Sequence, residues 1–487
     1  MKDKVRVRYA PSPTGYPHMG NIRSALFNWL FARHHGGSFI VRIEDTDRAR
    51  LVEGATESIL DSLKWLGMDW DEGPQAGGDY GPYFQSERKE FYRQAAEQLV
   101  SQGKAYYCYC TPKRLEEMRA EQTKNKLPPG YDKHCRELSG KDATICQTDG
   151  AGRVIRFKSP LEGKTSFTDL IRDEVTFENA KLDDFVILKS DGFPTYHLAS
   201  IIDDNLMKIS HVLRAEEWIS STPKHIQLYE AMGYDKPQFA HLPMLLGADR
   251  SKLSKRHGAV SLTDYRQQGY LPEAILNFLA LLGWALDDKT EFFSQKELVK
   301  HFSLERVNKT AAIFNVEKLE WMNGVYIRNL KPDDLAARLI PVLERDLPAT
   351  VKRPLDKDYV VRIAPLVQER IKTLNDVTEL TDFLFLDKLD YGTDMLIGKK
   401  MDAAITRGAL EAAQDKIEAS VDFSEEGLEN TLRPLAEELG LKAGQLFGAL
   451  RGAFTGRKVT PPLFGIMLVL GKETCLKRIR TAINILG

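Results

Sequence analysis

The stretch Arg8-Tyr9-Ala10-Pro11-Ser12-Pro13-Thr14-Gly15-Tyr16-Pro17-His18-Met19-Gly20-Asn21 joins two regular segments and sets the architecture of the N-terminal half. Before it, Val5 to Tyr9 reads as a short strand. After it, Leu26, Phe27, Leu30 and Phe31 recur at helical spacing, so a helix is expected from about Ile22 to His34. The prolines stiffen the connection, and Gly15 and Gly20 let a ligand approach the backbone closely. The exit into the helix leaves unpaired N–H groups and a positive dipole end facing an anion, and His18 and the Asn21 amide add side-chain donors. An ordinary strand-to-helix connection with a buried histidine remains the alternative at this point.

On the C-terminal side, Ser38 to Ile43 reads as a second strand, and an acidic turn leads to a helix over Glu53 to Leu66. Strand–loop–helix–strand–helix is the opening half of a parallel α/β domain. Anions bind in such folds where a strand's C-terminal end meets the next helix. From about Glu87 the texture changes. A helix with Phe91 and Leu99 leads into a segment holding four of the five cysteines, then strand-like Val154–Phe157 and Val186–Leu188, all read as an α+β insertion. Apolar runs at Ile201–Ile202 and His211–Leu213, with a helix after Pro223, are expected to complete the parallel sheet. Beyond Pro272 the chain is helix-patterned almost throughout.

The 487 residues, 43% hydrophobic and 28% charged, exclude a disordered or membrane-spanning chain. The longest apolar stretch, Ile275 to Leu286, is broken by Asn277 and falls short of the ~18 residues a span needs. No apolar segment follows the basic residues of MKDKVRVRYA, so no signal peptide is expected. An odd cysteine count without a framework points to a reducing, cytoplasmic setting. The net charge of -1 hides its layout. Val41 to Glu72 carries nine acids against four bases, whereas Arg451 to the C-terminus carries seven bases against Glu473 alone. The latter segment suits contact with an RNA backbone.

A second cluster, Ser251-Lys252-Leu253-Ser254-Lys255-Arg256-His257-Gly258, places two lysines three apart among hydroxyls. Such lysines can close over a polyphosphate as mobile point charges, although alone the run is equally a solvated basic loop. Together, HMGN at 18–21 and SKLSKRH at 251–257 resemble the two signature motifs of class I aminoacyl-tRNA synthetases. Val7–Gly15, Ala25–Trp29, Arg42–Asp47, Pro194–Ala199, Val212–Trp218 and Ala311–Arg328 narrow the resemblance to bacterial-type glutamyl-tRNA synthetases, over essentially the whole chain.

The resemblance implies a Rossmann-like parallel-sheet catalytic domain with an α+β insertion, followed by all-helical C-terminal domains. It divides the chain into the first catalytic half (1–86), an acceptor-binding insertion (87–195), the second catalytic half (196–250), a stem-contact domain with the lysine loop (251–330) and a helical anticodon-binding region (331–487). The activity implied is ATP-dependent ligation of L-glutamate to tRNA(Glu), with Mg2+ accompanying ATP, tRNA(Gln) as an alternative acceptor and a monomer as the expected state. It assigns His18, Lys252 and Lys255 to catalysis and Arg8, Ala10, Ser12, Glu44, Tyr196 and Arg214 to glutamate. ATP falls to His18, Gly20, Asn21, Glu217, Trp218, Leu245, Lys252 and Lys255. Ser200 stands where some relatives carry Asn, so it receives no role. For individual residues the alternatives are surface ion pairing of Arg8 with Glu44 and a core role for Tyr196. A glutamyl-Q-tRNA(Asp) synthetase type would match the catalytic half only, and a catalytically dead RNA-binding paralogue would not need His18, Lys252 and Lys255.

Cys108, Cys110 and Cys135 offer three soft ligands where zinc wants four. Some relatives add a His two residues after the third Cys, where this chain has Glu137. Related Cys, Cys, Tyr, Cys sets favour Tyr131 over His134 as the fourth ligand. A reduced, metal-free knuckle is the alternative.

Overall fold

The computed structural model describes residues 4–128, 130–138, 152–254 and 261–487. The chain forms two compact units, Met1–Gln267 with Ile275–Val316 and Gln268–Ala274 with Glu317–Gly487. Segment 251–330 of the sequence reading is thus shared between them.

In the first unit, β1 (Arg6–Tyr9) leads through the opening loop into α1 (Met19–His34), and β2 (Ser38–Val41) pairs with β1 in parallel. Helix α1 begins three residues earlier than its apolar pattern indicates, because His18 caps it: Nδ1 accepts from the Gly20 N–H at 3.2 Å. Helix α2 (Ala55–Trp65) follows, then α3 (Lys89–Ser101) opens the insertion. There β3 (Ala105–Cys108) is followed by α4 (Pro112–Lys124), and β4 (Val154–Phe157) lies antiparallel between β3 and a later strand. A hairpin of β5 (Lys164–Asp169) and β6 (Asp173–Glu178) precedes that later strand, β7 (Val186–Leu188).

The second half supplies α5 (Tyr196–Leu206), β8 (His211–Ala215), α6 (Thr222–Met232) and β9 (Gln238–Leu242), with β8 and β9 parallel. Ser210 joins β8 to the first half, its N–H donating to the Arg6 carbonyl at 2.9 Å and its Oγ accepting from the Arg6 N–H at 2.8 Å. The Asn28 amide of α1 donates to the Leu213 carbonyl at 3.1 Å.

One expectation changes. Ile201–Ile202 belongs to helix α5, not to a strand. Both residues are buried, and a helix buried on most sides shows no alternation that separates it from a buried strand. Within the insertion, β5 pairs in parallel with β9 at Asp169–Phe239, so its hairpin extends the sheet of β8 and β9.

The second unit is helical. Its Ala403–Ala419 helix buries Thr406, Ala409, Leu410, Ala413 and Ile417, a helical period, and its first turn is capped by Asp402, which accepts from the Ile405 N–H at 2.8 Å. Among the described residues, no helix is long and apolar enough to cross a membrane.

Candidate active site

The opening loop is fastened along its length. Tyr9, Pro11, Pro13 and Pro17 carbonyls accept from the N–H groups of Arg42, Glu44, Val52 and Leu262 at 2.9–3.1 Å. At its end, a Cβ on Gly20 would stand 3.2 Å from the His18 ring, so a larger residue there would push the ring off the helix start by a few tenths of an ångström. Burial, then the nearby Lys252 cation, push the His18 pKa down. His18 is nonetheless exposed, and with Nδ1 accepting from the Gly20 N–H, Nε2 keeps the proton and is free to act as a donor.

A cleft of about 730 Å³ is lined by Arg8, Ala10, Ser12, Asn21, Glu44, Tyr196, Arg214, Glu217 and Trp218 of the sequence assignment. His18, Gly20, Leu245 and Lys252 are not on its wall. Lys252 reaches it through an ion pair, with Nζ 2.5 Å from Glu217 Oε2. A short strand, β10 (Leu245–Leu246), holds the base of the lysine loop, because Leu246 bridges Lys252 and the Leu253 N–H donates to Leu245 at 3.1 Å. Lys255 lies outside the described residues.

The floor carries a balanced set of buried charges. Asp204 Oδ1 receives Arg8 Nε at 3.0 Å and Arg42 Nη1 at 2.7 Å, Arg42 also meets Glu44 at 3.0 Å, and Arg88 Nε meets Asp203 at 2.7 Å. Burial opposes ionisation of Arg8 and Arg42, yet Asp204 and its neighbours more than offset it and hold both guanidinium groups above their ordinary pKa. Burial raises the Glu44 carboxyl against the pull of Arg42 and Arg8. Arg8 and Glu44 are thus not a surface pair: both are buried, and each has a different partner.

Arg214 differs. It is buried, yet all its partners are uncharged side-chain groups: Nε donates to His241 Nε2 at 3.1 Å, Nη1 to the Tyr196 hydroxyl at 3.0 Å and to His225 Nδ1 at 3.3 Å, and Nη2 to Thr222 Oγ1 at 2.8 Å. Among the described residues it forms no ion pair. Tyr196 is only half-buried and packs on Trp218 with ring centroids 4.3 Å apart, so it belongs to the cleft and not to the core.

Sequence reasoning missed Thr46, Asp47, Arg50 and Lys189, which line the same cleft. The first three sit in or just after the Arg42–Asp47 motif and could have been found from it. Lys189 has no such signal: β7 and a 3.4 Å hydrogen bond to the Thr46 carbonyl bring it in from the insertion. His225, His241 and Asp204 were also missed, since nothing local marks a buried polar residue as belonging to a distant site.

In the insertion, the Cys108, Cys110 and Cys135 sulfurs lie within 4.8 Å of one another, and the Tyr131 hydroxyl is 3.3 Å from Cys108 Sγ and 3.4 Å from Cys110 Sγ. Hydrogen bonds from Cys110 and Cys135 depress the Cys108 pKa, and the same sharing raises that of Cys110. Three thiols and a phenol converging at this spacing fit a tetrahedral zinc donor set. His134 and Glu137 are exposed, and Glu137 pairs with Lys158 at 3.3 Å. Cys475 is buried elsewhere, and Cys146 lies outside the described residues.

The basic C-terminal run is partly consumed within its own unit. Arg478 is buried and donates to the Phe383 and Leu386 carbonyls at 2.8 and 2.7 Å, Arg457 pairs with Asp382 at 2.7 Å, and Lys472 donates to the Glu418 and Ser420 carbonyls. Lys458 and Lys477 are exposed.

Residues 4–321 match the family model of the class I tRNA synthetase (E and Q) catalytic domain, and residues 334–483 match that of an anticodon binding domain. A glutamate–tRNA ligase of Dehalococcoides mccartyi is 63% identical over 483 residues, covering 99% of this chain and 98% of that protein. One from Moorella thermoacetica is 47% identical, with the same coverage. A crystal structure of a glutamate tRNA ligase from Elizabethkingia meningosepticum in complex with its amino acid aligns over 100% of both chains, with a TM-score of 0.89 and 36% identity. The chain belongs to the glutamate–tRNA ligase family of class I aminoacyl-tRNA synthetases.

Proposed function

We propose that the chain performs its family's ATP-dependent ligation of L-glutamate to tRNA(Glu) in the cleft between Arg8 and Arg214. The observation that carries the placement is Arg214, a buried cation among uncharged partners, which a carboxylate would complete. Arg8 and Arg214 take the side-chain carboxylate, and Glu44 faces the ammonium. Ser12, Tyr196 and the backbone at Ala10 supply further hydrogen bonds. An α-carboxylate oxygen attacks the α-phosphorus of ATP, the bond to the bridging oxygen breaks, and pyrophosphate leaves. A terminal ribose hydroxyl of the tRNA then attacks the acyl carbon, and AMP leaves. Positioning and charge stabilisation dominate such a displacement. His18 Nε2–H and the helix start at Gly20 and Asn21 face the phosphates, Lys252 and Lys255 face the pyrophosphate, and Glu217, Trp218 and Leu245 border the nucleotide. Mg2+ enters with the ATP phosphates.

Cys108, Cys110, Tyr131 and Cys135 would hold a structural zinc, tying β3 to the 131–135 turn. We read the chain as a cytoplasmic monomer; parallel charging of purified tRNA(Glu) and tRNA(Gln) tests whether tRNA(Gln) is a second acceptor beside tRNA(Glu).

The central test is Arg214→Met, measured as charging of tRNA(Glu) with glutamate against glutamine. A site built to pair a carboxylate rejects the amide by about 10⁴. The variant should lose most of that ratio, and an unchanged ratio would remove Arg214 from the site.

A further inference from the structure

We propose that His225, His241 and Thr222 form a neutral cradle that orients Arg214 without balancing its charge, making these three positioning residues for carboxylate selection. The inference rests on the assignment of Arg214 to the substrate side chain. All three are buried, at 2%, 0% and 0% exposure. His241 Nδ1 lies 2.6 Å from Asp169 Oδ2, so that nitrogen carries the proton and Nε2 is left to accept from Arg214 Nε. Asp169 reaches Arg214 only through this ring, and its Oδ1 is already engaged by the N–H groups of Ile171 and Arg172 at 3.0 and 2.9 Å. His225 Nδ1 accepts from Arg214, so its other nitrogen, Nε2, donates to His197 Nδ1 at 3.1 Å.

The surroundings keep the rings neutral. Burial, then the Arg214 charge, depress the His225 pKa, with His197, Arg8 and His241 acting in the same direction. For His241, burial lowers the pKa against the Asp169 interaction. Arg8, Arg42 and Arg88 show the contrast, since they share Glu44, Asp203 and Asp204. A carboxylate in place of His225 would satisfy Arg214 from within the protein, and the substrate's carboxylate would then bring little that an amide does not.

The experiment compares full-length His225→Glu and His225→Gln in charging tRNA(Glu) with glutamate and with glutamine. Gln can accept from Arg214 and donate to His197, as the imidazole does. We expect His225→Glu to raise the glutamate KM and cut the glutamate-over-glutamine ratio by about tenfold or more, with His225→Gln staying within about threefold of the native ratio. Equal losses in both variants, or none in the Glu variant, would overturn the cradle. If Arg214→Met keeps the native ratio, the assignment of Arg214 fails first. If it loses the ratio while His225→Glu does not, the cradle alone fails. Should His225→Glu not fold, long-range 1H–15N spectra of the unsubstituted chain decide: neutral Nδ1–H His241 and Nε2–H His225 at about pH 6.5 support it, and an imidazolium at either position refutes it.

Discussion

Asp204→Asn tests whether the floor of the cleft is an ion network or merely a packed layer. The substitution keeps the shape and removes one charge. Asp204 Oδ1 joins Arg8 at 3.0 Å and Arg42 at 2.7 Å, and all three side chains are 4% exposed or less. Removing one member of a buried set strands the others, at a cost of about 3–5 kcal/mol. The catalytic unit, Met1–Gln267 with Ile275–Val316, unfolds with an entropy of about 0.6 kcal/mol per kelvin at the usual per-residue value. The loss should therefore lower its Tm by about 5–8 °C. Scanning calorimetry of the two full-length proteins reads this directly.

The pH dependence adds a signed check. Burial raises the Asp204 pKa, but Arg8 and Arg42 outweigh it and leave the folded value below the ordinary one. Its contribution is present above the unfolded value of about 3.9 and disappears as pH falls through the folded value. The gap between native and Asn proteins should hold from neutral pH down to about 4 and narrow only below it. A Tm difference under about 2 °C at neutral pH would show that no buried network is broken and refute the reasoning. Activity gives a parallel readout: Arg8 loses its anchor, so the KM for glutamate should rise more than kcat falls.

Lys252→Ala and Lys255→Ala should each slow tRNA-dependent ATP–pyrophosphate exchange by about 10²–10³ with little change in glutamate binding; unchanged exchange would remove the lysine loop from the chemistry. Metal analysis of native protein should find one zinc per chain, and both Cys135→Ser and chelation should remove it; native protein without zinc ends that assignment. Burial, then Lys224 and Arg214, bring the His197 pKa down to about 4. A base depressed on folding costs stability as pH falls from its unfolded value of about 6.5 towards 4, so His197→Asn should lessen the Tm loss over that range. In the helical unit, Leu410→Ala should cost about 2–5 kcal/mol in chemical denaturation, because Leu410 is fully buried; a loss under about 1 kcal/mol would place it outside the core.

The sequence alone established the class of fold, and it named nine of the twenty-three residues that line the cleft. Strand, loop and helix at 5–34 carry their own periods, whereas it was the resemblance of short motif segments to a known family that named Arg8, Ser12, Glu44, Tyr196 and Arg214 without coordinates. Boundaries shifted where a side chain outranked the pattern, as when the His18 cap started α1 at Met19. Three things depended on long-range packing. The hairpin of the insertion joins the catalytic sheet through one register contact, Asp169–Phe239, which no local pattern announces. The charge imbalance along the chain is partly offset: Glu72 of the acidic stretch meets Arg6, Asp71 meets Arg33, and part of the basic run binds carbonyls and an acid in its own unit. Above all, Arg8 and Arg214 look alike as residues, yet folding gives Asp204 to one and neutral histidines to the other. Composition counts charges, but a charge acts according to its partners, and Arg8 takes its own from 196 positions away in the chain.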